Sequence, residues 1–199
     1  MRLSKKPLLF LLAFCFATAA FAQPNNAKEV QLCANLSAIL ELQCNPDNSN
    51  LINFNIDTKD KWENGTESPD FNDFSVCATC DWKLTCEVVG ANGDDIDELN
   101  GNGGKLPLAC IGHKIIWNGT NPIGNHLNAT NPLQSGVNTV LEPAAGQSNI
   151  GGAAENNFII WWGIGQHALP LMPDESLLEK QVKAGTYKVK VVYTLLPVI

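Results

Sequence analysis

The chain has 199 residues, and its thirteen basic and twenty acidic side chains give a net charge of −7. This acidic balance excludes a nucleic-acid-binding role, which needs a basic face, and it argues against binding to anionic membrane surfaces. Hydrophobic residues make up 45% of the chain, enough for a globular core, and no apolar run beyond the N-terminus has the length of a membrane span.

The first 22 residues have the pattern of a cleaved secretory signal peptide. Arg2, Lys5 and Lys6 precede a short apolar run, and small residues occupy positions 20 and 22. We therefore expect a single mature domain of residues 23–199. It would be secreted through the periplasm to the cell surface or the medium. Because three basic residues leave with the signal, ten basic and twenty acidic side chains would remain.

Alternation of apolar and polar residues predicts a first long strand at 30–42, "VQLCANLSAILEL". A helix here would spread the apolar residues around its circumference and bury no single face. We expect a short strand at 50–56, "NLINFNI", and a turn at 63–66 around an Asn-Gly pair. The next alternation, 74–88, predicts a strand that points Cys80 and Cys86 inward and Cys77 outward.

The second half of the chain continues this pattern of short strands. Residues 90–104 are acidic and rich in Gly and Asn, which predicts a loop, and 105–117 should hold one or two strands. Residues 118–152 should hold loops and short edge strands, and the apolar run 157–165 predicts a central strand. Residues 174–182 offer one helical turn. The final strand, 185–199, should bury Tyr187, Val189, Val191 and Tyr193 and expose Lys188 and Lys190, with Gly185 at positive φ in the turn before it. The fold class expected is all-β, an antiparallel two-sheet β-sandwich.

Six cysteines remain after removal of the signal, and an even number in an exported chain predicts disulfide stabilisation. The disulfide candidates are Cys33, Cys44, Cys77, Cys80, Cys86 and Cys110. Their connectivity stays open, and strand parity suggests only one pairing to test, Cys33 with Cys77 on outward faces. The Cys77-x-x-Cys80 spacing also occurs in redox and zinc sites, but no second pair or neighbouring histidine accompanies it.

No sequence motif indicates catalysis or a cofactor. The histidines, His113, His126 and His167, lie far apart, and we expect them to be separate exposed side chains. The acidic residues at 94–98 depart from the spacing of a calcium loop and should form a solvated loop. We therefore expect no enzyme activity, no metal and no cofactor.

The adjacent residues Trp161 and Trp162 should point to opposite faces of their strand. One would then be buried in the core. The other would lie under a loop or be exposed, and an exposed Trp is a candidate for stacking on a sugar ring.

Three segments carry a resemblance to a known family: "VQLCANLSAILELQC...NFNI", "FSVCATCDWKLTCEV" and "VKAGTYKVKVVYTLL". They resemble strands of secreted bacterial pilin-like β-sandwiches, namely spore-coat-U-like and archaic chaperone–usher fimbrial subunits and related exported proteins. The resemblance implies an Ig-like, pilin-like sandwich. Its partners would be copies of itself or other surface subunits, joined by β-strand addition. The function expected is a non-enzymatic structural or adhesive subunit of a fimbria or other surface assembly. The alternative is a secreted carbohydrate-binding module whose partners are glycans.

Overall fold

The computed structural model describes residues 37–44, 51–124, 130–166, 169, 172 and 175–198. Over these residues the protein is all-β, with every strand pair antiparallel, so the expected fold class is confirmed at this level. One short helix, α1 (Lys59–Asn64), and a 3-10 turn (Leu108–Cys110) interrupt the strands of the described part. The strands are β1 (Leu40–Cys44), β2 (Thr66–Ala78), β3 (Trp82–Val89), β4 (Asp95–Asp97), β5 (Lys105–Pro107), β6 (Ile111–Trp117), β7 (Ile123–Gly124), β8 (Thr130–Pro132), β9 (Val137–Pro143), β10 (Asn157–Ile164) and β11 (Lys190–Pro197).

The strands form two main sheets and one small ribbon. The five-stranded sheet has the order β1-β2-β10-β6-β8, and the four-stranded sheet has the order β11-β3-β9-β7. The ribbon pairs β4 with β5. The apolar strand β10 lies in the middle of the larger sheet, as its lack of polar alternation predicts.

The two main sheets contribute to one hydrophobic core. The largest fully buried side chains include Trp82 and Leu84 from the four-stranded sheet and Phe158 and Ile115 from the five-stranded sheet. Aromatic contacts join the sheets directly, since Trp82 lies 6.4 Å from Trp117 between ring centroids. Burial of each such side chain contributes roughly 1.5–3 kcal/mol. The arrangement is sandwich-like, with the alternating inward residues of both sheets supplying the core.

The alternation over 74–88 belongs to two strands rather than one. Strand β2 ends at Ala78 in the five-stranded sheet, and β3 begins at Trp82 in the four-stranded sheet. Val76 and Cys86 both point inward, as predicted, because the connection of three residues keeps the alternation in phase. Cys77 lies on the outer face, opposite Glu41 of β1. Cys80 lies in the connection itself and is only partly buried, so its predicted place on a strand is wrong.

The region between β1 and β2 departs from the sequence expectation. Residues 51–57 form no ladder, although their side chains still alternate between exposed and partly buried. Helix α1 follows, with Thr58 as its N-cap and Gly65 as its C-cap at φ +74°. The turn predicted at 63–66 is therefore the end of a helix, since Gly65 turns the chain with a positive φ that glycine adopts at little cost.

The first and last strands are shorter than predicted. Residues 30–36 lie outside the described residues, and β1 covers only the end of the predicted strand, with Leu40 and Leu42 facing the core. At the C-terminus the ladder begins at Lys190, and Tyr187 forms only an isolated bridge with Glu98. The predicted faces of the last strand are nevertheless confirmed. Tyr187, Val189, Val191 and Tyr193 pack against the core, and Lys188 and Lys190 are exposed.

The acidic segment and the chain before β11 pack together more closely than predicted. The acidic segment, residues 90–104, contains strand β4. Glu98, which was predicted to be solvated, is only 6% exposed. A Cβ atom on Gly185 would lie 2.5 Å from Cγ of Glu98, and the backbone there is not at positive φ. The prediction of a positive φ at Gly185 is therefore wrong. A glycine is required because Glu98 approaches its backbone closely.

A single helical turn does occur near residue 178, as predicted. The Ser176 hydroxyl accepts from the backbone N–H of Glu179 at 3.1 Å, and a carboxylate oxygen of Glu179 accepts from the backbone N–H of Ser176 at 2.7 Å. This is a capping box, which starts the turn. In the described part of the chain, no helix has the length and apolar character needed to cross a membrane.

Candidate functional site

The two adjacent tryptophans point to opposite faces of β10, as predicted. Trp162 faces inward and is 5% exposed, and its indole N–H donates to Oδ1 of Asn72 at 2.8 Å. A buried and hydrogen-bonded indole has no free face for a ligand. Trp162 is therefore part of the core rather than a stacking residue.

Trp161 faces outward and remains partly exposed. Its ring stacks on Phe71, which lies opposite it on β2, with 5.1 Å between centroids and 30° between ring planes. Ile159 lies two residues away on the same face of β10, and Lys114 is the neighbour of Trp161 on β6. The outer face of the five-stranded sheet thus carries an aromatic pair next to apolar and charged side chains. Phe71 is the member of this pair that sequence reasoning missed.

A second feature lies between the two sheets and was not predicted. It is a pocket of about 230 Å³, which we call the inter-sheet pocket. Its polar lining consists of Cys86, His113, Asn131, Gln134, Asn138 and Thr139. Cys86 and His113 are each 3% exposed and form its floor, whereas Gln134 at the mouth is exposed.

The strand registers explain how the floor is built. On the inner face of the five-stranded sheet, Trp162 is opposite His113, and His113 is opposite Asn131. On the inner face of the four-stranded sheet, Tyr193 is opposite Cys86, and Cys86 is opposite Asn138. Each sheet therefore contributes one row of three residues that can form hydrogen bonds.

These two rows meet in the interior of the protein. The His113 ring lies 5.6 Å from Trp162 and 6.4 Å from Tyr193 between centroids, edge-on to the tyrosine. The expectation that His113 is an exposed, isolated side chain is wrong, because it has the inward parity of Ile111 and Ile115 on β6. His126 and His167 lie outside the described residues.

The Cys86 thiol and the Tyr193 hydroxyl opposite it are both protonated at neutral pH. Burial raises the pKa of the Cys86 thiol to about 11, and the neighbouring Tyr193 hydroxyl lowers it only in part. Burial, and then the adjacent Cys86, raises the pKa of Tyr193 well above its ordinary value. At neutral pH only roughly one Cys86 in ten thousand would be a thiolate. Such a thiol is a poor nucleophile.

The cysteines lie at separate places in the fold. Cys77 is on the outer face of β2, Cys44 ends β1, and Cys86 and Cys110 are buried. Among the cysteines of the described residues, the structure contains no disulfide. Burial raises the pKa of both Cys44 and Cys110. Because Cys33 lies outside the described residues, its pairing with Cys77 stays a prediction.

The acidic residues near β4 are held by the protein itself. Asp94 accepts from the Ser135 hydroxyl at 2.6 Å, and Asp95 pairs with Lys105 at 3.3 Å. The Glu98 carboxylate accepts from the backbone N–H of Asn102 at 3.0 Å, and this bond is the largest cause of its lowered pKa. Within the described ranges, no group of three or more His, Cys, Asp or Glu side chains is arranged to hold a metal ion.

No protein-family model matches the chain, and no curated protein matches it at a significant level. The features of the structure that bear on function are the edges of the two sheets, Trp161 and the inter-sheet pocket. One sequence signal could have indicated the pocket. In "IGHKIIW", His113 occupies the inward parity of an otherwise apolar strand, and a polar residue at a core position is unusual enough to suggest a function.

Proposed function

We propose that this protein is an exported, non-enzymatic structural or adhesive subunit with an Ig-like, pilin-like sandwich, and that it joins its neighbours by β-strand addition. The observation that carries the proposal is the edge formed by β11. This eight-residue strand pairs with β3 on one side. In the described part of the chain no strand pairs with its other side. An unpaired edge presents a row of backbone donors and acceptors to an incoming strand.

The side chains next to this edge support the same proposal. Val191, Tyr193 and Leu195 point inward from β11 but are only partly buried, whereas Leu84 and Cys86 on the neighbouring β3 are 0% and 3% exposed. The core is therefore less well covered beside β11 than one strand further in. A strand added at this edge would cover these apolar side chains and form backbone hydrogen bonds at the same time.

Among the described strands, β1 is the edge of the other sheet on the same side of the fold. Cα atoms of β1 and β11 approach within 8 Å, and Leu40 and Leu42 are also partly buried and packed against the core. Two edges with incompletely covered apolar residues thus lie side by side. An alternating segment such as 30–42 of another copy has the period that this edge would accept.

The test is the binding of a synthetic peptide to the purified exported protein. The peptide carries residues 30–42 with Cys33→Ser, and the control is the same peptide with alternate backbone nitrogens methylated. We expect the first peptide to bind and to block self-association, measured by light scattering, and the methylated peptide to do neither. A protein that stays monomeric and binds neither peptide would contradict the proposal.

A second candidate function is carbohydrate binding, favoured by the partly exposed Trp161 stacked on Phe71. A flat aromatic surface on an outer sheet face is suited to stacking on the apolar face of a sugar ring. Oligosaccharide binding by a monomeric protein would favour this candidate if Trp161→Ala abolishes it and Trp62→Ala, at a tryptophan that packs against the core, retains it. Self-association with no oligosaccharide binding would contradict it.

A further inference from the structure

The inter-sheet pocket places polar side chains where a sandwich core normally has apolar ones. His113 and Cys86 are each 3% exposed, and both occupy inward positions of strands whose other inward residues are mainly apolar. Free cysteine behaves as a small hydrophobe, whereas histidine is rarely buried this completely, so His113 is the unusual residue of the pair. A buried histidine that lines a pocket together with three amide side chains indicates a role beyond folding.

The lining of the pocket restricts the kind of ligand it would accept. Nine residues line it, and none is Asp, Glu, Lys or Arg. The groups around the mouth are the amides of Asn131, Gln134 and Asn138 and the hydroxyl of Thr139, and Pro132, Leu133 and Val140 supply apolar surface. Amides and hydroxyls both donate and accept hydrogen bonds, as a ligand with many hydroxyl groups requires. A charged ligand would lose its hydration, and apart from the buried His113 no lining residue could form an ion pair with it.

The volume of the pocket restricts the size of the ligand. About 230 Å³ corresponds to roughly eight water molecules at their volume in the liquid. It is also smaller than the range of roughly 300–1,000 Å³ that is usual for drug-sized ligands. The pocket therefore suits one small ring rather than two linked rings.

We propose that the inter-sheet pocket binds a single uncharged, hydroxyl-rich ring of the pyranose type, either as a free sugar or as the terminal residue of a glycan. This inference deepens the adhesive part of the proposed function and rests on it only for the source of the ring. It differs from stacking on Trp161, because that residue lies on the opposite face of the five-stranded sheet.

The experiment measures binding of free sugars and of the same sugars as terminal residues of immobilised glycans. The probes are glucose, galactose, mannose, fucose and N-acetylglucosamine, with glucuronate as a charged comparison. We expect at least one neutral sugar to bind at least tenfold more tightly than glucuronate. Equal affinity for the free sugar and the glycan terminus indicates that the single ring is the whole ligand. Clearly tighter binding of the terminus identifies a glycan as the source.

Variants connect the binding to the pocket. Asn138→Leu and Gln134→Ala should each weaken binding at least fivefold, and Gln134 is exposed, so its loss should leave the melting temperature unchanged. Asn53→Leu, at an exposed position outside the pocket lining, is the matched control and should bind normally. The inference is overturned if no neutral sugar binds in either form, or if Gln134→Ala and Asn138→Leu both bind like the parent protein. Sugar binding without self-association would contradict strand addition alone, and the reverse result would contradict the pocket alone.

Discussion

Replacement of Asn149 by leucine should be among the most destabilising single changes in this protein. Asn149 is 0% exposed, and its side chain forms two hydrogen bonds with the backbone of Trp82. Its Oδ1 accepts from the Trp82 N–H at 3.0 Å, and its Nδ2 donates to the Trp82 carbonyl oxygen at 2.8 Å. The Val198 N–H bonds to the Asp81 carbonyl oxygen, so the adjacent pair of Trp82 and Pro197 is a non-hydrogen-bonded pair of the ladder, and both backbone groups of Trp82 point away from β11. They point to the side of β9, whose ladder with β3 ends at Leu84, and Asn149 takes the place of a strand there.

The magnitude follows from the two backbone groups that would lose their partners. Trp82 is itself 0% exposed, so water cannot easily replace the lost bonds. Each buried unsatisfied group costs about 1–3 kcal/mol, which gives about 2–6 kcal/mol for Asn149→Leu. A domain of this kind is stable by only about 5–15 kcal/mol, so the variant should be severely destabilised. The third bond, from the Trp82 indole N–H to the backbone oxygen of Asn149, does not involve the substituted side chain.

The assay is urea denaturation followed by tryptophan fluorescence. The free energy of unfolding of Asn149→Leu should fall by the stated amount with an unchanged dependence on urea concentration. The matched control is Asn53→Leu at an exposed position, which should change stability by no more than about 0.5 kcal/mol. A loss below about 1 kcal/mol at residue 149 would refute the reasoning, because it would mean that the Trp82 backbone finds other partners.

Further predictions concern the last strand, the cysteines and pH. Val191→Asp should destabilise the protein by at least about 1 kcal/mol more than Lys190→Asp, since only Val191 packs against the core, and equal damage in urea melts would contradict a one-sided strand. The denatured, unreduced protein of residues 23–199 should show fewer than six free thiols, and each bridge should contribute about 2–4 kcal/mol that reduction removes; a count of six would end the disulfide prediction. Since folding raises the pKa of Cys86 from 9.0 to about 11, the folded state holds its proton longer, and stability should fall as the pH rises from 9 towards 11, less steeply in Cys86→Ala. Because the pKa of Glu98 is lowered, its contribution is present above the ordinary pKa and is lost as the pH falls through the lowered value, so Glu98→Gln should flatten the acid limb of the stability curve.

Strand faces were predictable from the sequence because the period of two is a local property. Leu42, Cys86 and Val191 all face the side that alternation assigned to them. Even residues 51–56, which form no ladder, keep their alternation because the extended backbone itself produces it. Parity needs no knowledge of which strand lies next to which.

Pairing and sheet membership could not be predicted from the same pattern. The alternation over 74–88 continues although the chain passes from one sheet to the other at residues 79–81. A connection of three residues keeps the alternation in phase, so the sequence pattern does not show where the sheet changes. Helix α1 was missed because only its caps, Thr58 and Gly65, distinguish a six-residue segment from a turn.

The inter-sheet pocket depends on registers that the sequence does not reveal. His113 and Cys86 are 27 positions apart and lie in different sheets. Only the pairing of β6 with β8 and of β3 with β9 places Asn131 and Asn138 beside them. A buried histidine could be suspected from the parity of β6, but its neighbours depend on long-range contacts.

Residues that discourage pairing with another strand occur at the two ends of β11 but not in its middle. This distribution favours the middle of the strand as the place of the proposed strand addition. Exposed Lys188 precedes the strand, exposed Lys190 begins it and Pro197 ends it. Lysine and proline both discourage pairing with another chain. The Val198 N–H donates to the Asp81 carbonyl oxygen at 2.8 Å and fixes the end of the strand against the start of β3. Between these ends, residues 191–196 contain no charged side chain. An edge that needed complete protection would carry a charge or a bulge in the middle as well, so residues 191–196 are the part of the edge left open to the strand addition proposed above.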